Sequence, residues 1–122
     1  MIFECLLVGV GGFLGSICRY LLSLLPYSEQ ANFPLITLGI NVLGSFAIGV
    51  LLGVTIRFPG VSQHLLAFLR VGFCGGFTTF STFALEMTGL LRSGRTMACF
   101  IYIVLSVLLG VGAVFAGKAI VS

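Results

Sequence analysis

The chain has 122 residues, of which 59% are hydrophobic and only 7% are charged, whereas soluble domains average about 25% charged residues. This composition excludes an ordinary soluble domain and indicates an integral membrane protein. The net charge of +3 is spread along the chain without a basic cluster, so the sequence predicts no nucleic-acid partner.

Four apolar stretches are each long enough to cross a bilayer as a helix, which takes about 20 residues. The predicted spans cover residues 2–25, 34–56, 63–91 and 96–117, separated by turns at residues 26–32, 57–62 and 92–95. They occupy most of the chain. We therefore expect an all-α integral membrane fold with a single four-helix domain over residues 1–122 and the lipid bilayer as its surroundings.

Small and polar residues recur four positions apart, which places them along one side of each helix and lets membrane helices approach closely. These ridges are Thr37, Asn41, Ser45, Gly49 and Gly53 in the second span, Tyr102, Ser106 and Gly110 in the fourth, and the pairs Gly11 with Gly15 and Gly72 with Gly76. Two polar ridges could face each other across a conduit or serve packing alone, and the spacing does not decide. The mid-span amide of Asn41 likewise either bonds another helix or faces water.

The third span contains a run that is a poor filling for a lipid-facing helix. Residues 75–83 read Gly-Gly-Phe-Thr-Thr-Phe-Ser-Thr-Phe. Non-helical backbone at membrane depth is tolerated only where it is buried in protein or lines a water-filled cavity. We therefore predict that the third helix is broken near residues 75–79 and that the functional site lies there.

The residue types around this break favour an anion. A broken helix presents free N–H groups and a positive dipole end, the interleaved hydroxyl groups donate hydrogen bonds, and phenylalanine rings carry positive edges. The freed carbonyl groups could instead hold a small cation. Stripping water from an ion-sized charge costs on the order of 20 kcal/mol in the idealised limit, whereas one hydrogen bond to a charge returns about 1.5–3 kcal/mol. Several donors and some retained water are therefore needed.

The six basic residues are balanced across the membrane. Four spans place both termini on one side, and an excess of lysine and arginine normally fixes which side that is. The terminal side holds Arg57, Arg70 and Lys118, and the opposite side holds Arg19, Arg92 and Arg95. This three-to-three count removes the usual bias, so insertion in both orientations is expected and an antiparallel homodimer becomes possible.

Three stretches of the chain resemble the signature of the Fluc (CrcB-type) fluoride channels. They are GFCGGFTTFSTF at residues 72–83, GGFLGSICRY at 11–20 and TLGINVLGSFAIG at 37–49. The resemblance implies an antiparallel, dual-topology homodimer with two pores at its interface. It also implies passive, potential-driven export of fluoride from the cytoplasm by a multi-pass protein of the inner (plasma) membrane.

The resemblance also implies roles for individual residues. The ion path would be lined by Phe80 and Phe83 and by Asn41, with a polar track at Thr37, Tyr102 and Ser106, the hydroxyl groups of Ser81 and Thr82 beside the rings, and Arg19 near a vestibule. A structural Na⁺ at the dimer interface would be held by the backbone carbonyls of Gly75 and Thr78. The role of Glu86 stays open.

Three other classes of protein were weighed against a channel. A small proton-coupled cation exporter needs a carboxylate in mid-span, but Glu4 lies near the terminus and Glu86 toward the end of the third span. The chain also has no tryptophan to cage a cation. A non-transporting assembly subunit would explain the glycines but not the hydroxyl-rich break. An enzyme is disfavoured because the sequence shows no nucleophile–base pair and no metal-ligand spacing.

Overall fold

A computed structural model of the chain describes residues 1–27 and 33–121. Helix α1 is Ile2–Ser23 and α2 is Leu35–Arg57. The third span, Gln63–Arg92, is divided into α3 (residues 63–77) and α4 (Ser81–Arg92), and α5 is Thr96–Val121. Most of the turn expected at 26–32 lies outside the described residues.

Within the described residues, four helical spans are long and apolar enough to cross a membrane, as the sequence predicts. The first ends at Ser23 and not at residue 25, because the N–H groups of Leu24 and Leu25 bond three residues back and tighten the last turn. Ser62 caps the start of α3 by accepting the N–H of Leu65 at 3.3 Å. Gly94, with φ of +80°, makes the turn between α4 and α5 in a conformation that favours glycine.

The helices pack mainly as two pairs, α1 with α3 and α2 with α5. The glycine ridges lie at these contacts. A Cβ atom on Gly76 would be 2.6 Å from the carbonyl oxygen of Gly12, and one on Gly53 would be 2.9 Å from Cβ of Val121. Both distances are too short for real side chains, so the close packing predicted from the four-residue spacing is confirmed.

The break in the third span lies at residues 78–80, and Thr78 is extended, with φ of −83° and ψ of 159°. Gly75 and Gly76 are still helical, so the break begins at the threonines and not at the glycine pair. The close contact with α1 requires glycine at position 76, which therefore stays in the helix. The extended conformation at Thr78 is allowed for any residue and does not need glycine. A π-helical segment, Ala67–Cys74, precedes the break.

A small core joins α2, α4 and α5. It contains the buried residues Leu38, Leu90, Cys99 and Tyr102, with Phe33 and Phe83 packed against it. Most other large apolar side chains are exposed in the single chain, as lipid-facing side chains are. This core holds the rings and polar groups of the site on three different helices.

Candidate functional site

The side-chain amide of Asn41 on α2 pairs with the backbone of the break. Its Nδ2 donates to the carbonyl oxygen of Thr79 at 3.0 Å, and its Oδ1 accepts the Thr79 N–H at 2.9 Å. Of the two alternatives left open by the sequence, the structure shows the interhelical hydrogen bond. The amide also lines a cavity, so its second N–H is available to a ligand there.

Two of the hydroxyl groups near the break are used by the backbone. Thr78 Oγ1 donates to the carbonyl oxygen of Cys74 at 2.9 Å, and Thr79 Oγ1 accepts the N–H of Thr82 at 3.2 Å in the first turn of α4. Sequence reasoning did not single out Thr79. The available signal was a hydroxyl residue just before a helix start, which is typical of capping.

A carboxylate joins the two polar ridges. Glu86 on α4 accepts the hydroxyl proton of Thr37 at Oε2, 3.0 Å, and that of Tyr102 at Oε1, 2.9 Å. Tyr102 is fully buried and Thr37 nearly so. The two residues predicted as a polar track are thus brought together through Glu86, and in this arrangement both hydroxyl donors point at the carboxylate.

A cavity of about 380 Å³ lies beside the break. The Oγ atom of Ser106, which lines it, is buried and has no hydrogen-bond partner among the described residues. A hydroxyl group without a partner can donate its hydrogen bond to a ligand that enters the cavity. The other residues around the cavity include Asn41, Ser45, Thr79, Phe80 and Phe83.

Aromatic rings form a line from the break into the core. Phe80 and Phe83 are 5.9 Å apart between ring centres, and Phe83 is 4.9 Å from Tyr102, both in edge-on geometry. Phe80 is 75% exposed in the single chain. Phe77, at the same three-residue spacing, is buried and stacked on Phe73, because the break separates it from the other two rings.

A second cavity, of about 510 Å³, opens at the end of the bundle where α1 ends and α2 begins. Thr37, Thr82 and Glu86 line it, together with the rings of Tyr27 and Phe33. The predicted residues Thr37 and Thr82 therefore face this larger cavity, whereas Phe83 and Ser106 face the smaller one.

Arg19 is tied to the last turn of α3. Its Nε donates to the carbonyl oxygen of Gly76 at 3.2 Å, and Ser16 Oγ lies 3.5 Å from the same oxygen. A cation at a helix C-terminus is favoured by the helix dipole. Arg19 is not among the residues that line the two cavities, and Ser81 is exposed at the start of α4.

A metal ion at this site would have to use backbone oxygens. The described residues contain no group of three or more His, Cys, Asp or Glu side chains that could hold one. Gly75 and Thr78 lie at the end of α3, where the last carbonyls of a helix lose their intrahelical partners. Carbonyl oxygens suit a hard cation, but one chain offers few of them.

The sequence matches the family described as "CrcB-like protein, Camphor Resistance (CrcB)" over residues 6–118. It is also similar to curated proteins named "Fluoride-specific ion channel FluC". That of Chlorobium chlorochromatii is 45% identical over 114 residues, covering 93% of this chain and 88% of the relative. That of Rhizobium meliloti is 47% identical over 118 residues, covering 96% and 94%.

Proposed function

The chain belongs to the CrcB family, and from that premise we propose that it is a fluoride-selective channel through which the membrane potential drives fluoride out of the cytoplasm. The observation that carries the proposal is the similarity to proteins named fluoride-specific channels over nearly their whole length. Hydrogen fluoride crosses membranes as a neutral acid and dissociates inside, so a pore for the anion prevents its accumulation. The relatives are bacterial, which places the protein in the inner membrane as a multi-pass protein.

The proposed path runs along the ring line and the two cavities. Ring edges attract an anion weakly, and the hydroxyl of Ser106, which has no partner among the described residues, supplies a donor beside them. Weak, repeated contacts suit an ion that has to bind and leave again. The path residues are Phe80, Phe83, Asn41, Thr37, Ser81, Thr82, Tyr102 and Ser106, with Arg19 at the approach.

Glu86 limits when fluoride can bind the hydroxyl groups of Thr37 and Tyr102. The hydroxyl groups of Thr37 and Tyr102 each carry one proton, and both are engaged by the carboxylate. Fluoride can use these donors only when they turn away from Glu86. We therefore propose that the carboxylate holds them in place between ions.

The working unit in this proposal is an antiparallel, dual-topology homodimer with two pores. The single chain exposes 7621 Å² of surface, whereas a compact monomer of its mass exposes about 6,300 Å². Phe80, at the break, and Gly75, in the last helical turn before it, are exposed, and irregular backbone in a membrane needs protein or water around it. A second copy in the opposite orientation, as the balanced charges allow, would cover them.

We also propose a structural Na⁺ at the dimer interface. The carbonyl oxygens of Gly75 and Thr78 from each of two copies would together provide four ligands of the type that hard cations prefer. When bound, the ion would offset the negative ends of two α3 helices that meet at the interface. Gly75 is exposed in the single chain, so its carbonyl is accessible to such a site.

The alternative of a proton-coupled cation exporter has less support. Among the described residues, the only acidic side chain in the interior of the bundle is Glu86, and both its oxygens are held by hydroxyl donors. The relatives are named as channels for an anion. Channels are also not enzymes, which agrees with the absence of a catalytic pattern from the sequence.

Liposomes containing the purified protein test the proposal. They are loaded with potassium fluoride, and valinomycin is added so that potassium can leave with the anion. We expect rapid appearance of fluoride at an external electrode and no comparable release of chloride from matched liposomes loaded with potassium chloride. Fluoride that stays trapped, as in protein-free liposomes, would contradict the channel.

A further inference from the structure

Asn41 makes two hydrogen bonds to the backbone of Thr79, at the point where the hydrogen bonds of the helix are interrupted. Oδ1 and Nδ2 of one side chain lie 2.9 and 3.0 Å from the backbone nitrogen and oxygen of one residue. From this geometry we infer that Asn41 is a positioning residue, which fixes the break of the third span and thereby the direction of the Phe80 and Phe83 rings. Its consequence for fluoride rests on the proposed function, but the contact itself does not.

The backbone at the break needs a partner of this kind. Thr78 is extended, so the helical pattern of bonds stops there, and polar backbone groups without partners are costly inside a membrane. A primary amide is the side chain that offers a donor and an acceptor side by side, as a peptide group does. Asn41 therefore supplies the hydrogen-bond donor and acceptor that the Thr79 backbone lacks because the helix is interrupted.

The fixed backbone of Thr79 also restricts the orientation of the Phe80 and Phe83 rings. Thr79 is held at three atoms, since its Oγ1 also accepts the N–H of Thr82. Phe80 follows it directly, and its ring packs edge-on against Phe83, which in turn contacts Tyr102. A rotation of Thr79 would turn the Phe80 side chain away from this line, so Asn41 acts on the path through the backbone.

The next residue on the ridge provides a matched control. Ser45 lies one turn from Asn41 on α2 and lines the same cavity. No hydrogen bond joins it to the break among the described residues. A variant at Ser45 therefore changes the polar lining of the cavity without releasing Thr79.

Hydrogen–deuterium exchange in the full-length protein tests the inference. In Asn41→Leu we expect the Thr79 amide, followed in peptides covering residues 77–83, to exchange on the order of tenfold faster, since it loses its acceptor. Ser45→Ala should leave this exchange unchanged. Fluoride current in planar bilayers should be lost in Asn41→Leu.

Two further variants keep the test decisive. Asn41→Ser is too short to reach both backbone atoms and should show the same faster exchange if Asn41→Leu does not assemble. Thr79→Val removes only the hydroxyl and should speed exchange at Thr82 while Thr79 stays protected. An assembled Asn41 variant that loses current with unchanged exchange would overturn the inference and assign the amide to the ion alone. A wild-type protein without fluoride current would instead refute the channel, and the exchange comparison would still stand.

Discussion

At the scale of single residues, the polar side chains near the break fall into three groups. Thr78 and Thr79 hydrogen-bond to backbone, and the hydroxyls of Thr37 and Tyr102 are bound to Glu86. The Ser106 hydroxyl has no hydrogen-bond partner in the part of the chain that the structure describes. The smaller cavity therefore offers an anion the edges of Phe80 and Phe83 together with few polar donors, the Ser106 hydroxyl and the second N–H of Asn41, so conduction should depend on the rings.

Replacing Phe80 by isoleucine is expected to abolish fluoride efflux from liposomes without changing the elution volume of the purified protein. An aliphatic side chain has no positive ring edge, and the ring is 75% exposed in the chain, so its loss leaves no cavity in the core. Efflux and elution volume are measured on the same preparation. Phe115→Ile, at a similarly exposed ring on α5, is the control and should conduct normally. Normal efflux through Phe80→Ile would mean that the path lies elsewhere.

Tyr102 and Glu86 are expected to be coupled in stability. Tyr102→Phe leaves Oε1 without its donor, and Glu86→Leu leaves the buried hydroxyl without its acceptor; each loss should cost about 1–3 kcal/mol. When both partners are removed, neither Oε1 nor the tyrosine hydroxyl is left unsatisfied. The free energy of unfolding of the double variant should therefore fall by less than the sum of the two single-variant losses. Thermal unfolding in detergent measures the cycle. Strict additivity would show that this hydrogen bond contributes nothing specific.

The sequence identifies part of this site and misses its connections. The hydroxyl-rich run and Asn41 stand out because hydroxyls and an amide are unusual in an apolar span, whereas the roles predicted for Phe80 and Phe83 come from the family resemblance. The role of Thr79 depends on a partner 38 residues away, and the bond from Thr37 to Glu86 spans 49 residues. Such pairings are set by how the helices pack, which a single sequence does not encode in any local pattern.

At the scale of whole helices, glycine spacing predicts contact but not the partner. Gly72 and Gly76 meet α1, whereas Gly49 and Gly53 meet α5. The number and approximate position of the spans were predictable because they follow from hydrophobic length, although α5 runs four residues beyond its predicted end at Gly117. The exact position of the break was not, since Gly75 and Gly76 would fit either a close contact or a kink.

Alanine at Gly11 is expected to weaken the packing of α1 on α3. A Cβ atom there would lie 2.9 Å from the backbone nitrogen of Phe73 and closer still to the carbonyl oxygen of Phe68, so the helices must separate. Overpacking of this kind costs about 1–3 kcal/mol. Gly9→Ala, on the same helix with nothing within 4 Å of the added atom, is the matched control. Melting temperatures in detergent should fall for Gly11→Ala only, and equal temperatures would argue against the contact.

At the scale of the molecule, charge placement and the exposed break are the two observations behind the proposed antiparallel dimer. The two ends of the bundle carry equal numbers of basic residues, and Arg57 at the terminal end donates to the carbonyl oxygen of Val121 at 2.8 Å. Neither end is therefore favoured for the cytoplasm. If both orientations are made, each copy can find an inverted partner for the face that contains Phe80.

Variants with extra lysines on one side of the membrane are expected to conduct only when a variant biased toward each side is present in the same cell. Gly60→Lys with Gln63→Lys raises the terminal side from three basic residues to five, and Leu24→Lys with Leu25→Lys does the same for the other side. These positions are exposed or have open space around them, so folding should be retained. Each pair fixes one orientation by the positive-inside rule, so neither variant alone can form an antiparallel dimer.

Coexpression of the two biased variants is therefore the informative experiment. Accessibility of a C-terminal tag should show a single side for each variant alone and both sides for the wild type. Cells lacking other means of fluoride export should resist fluoride only when both variants are present together. Full resistance from one variant with a single tag orientation would show that a parallel assembly or a monomer conducts, because no inverted partner would then exist.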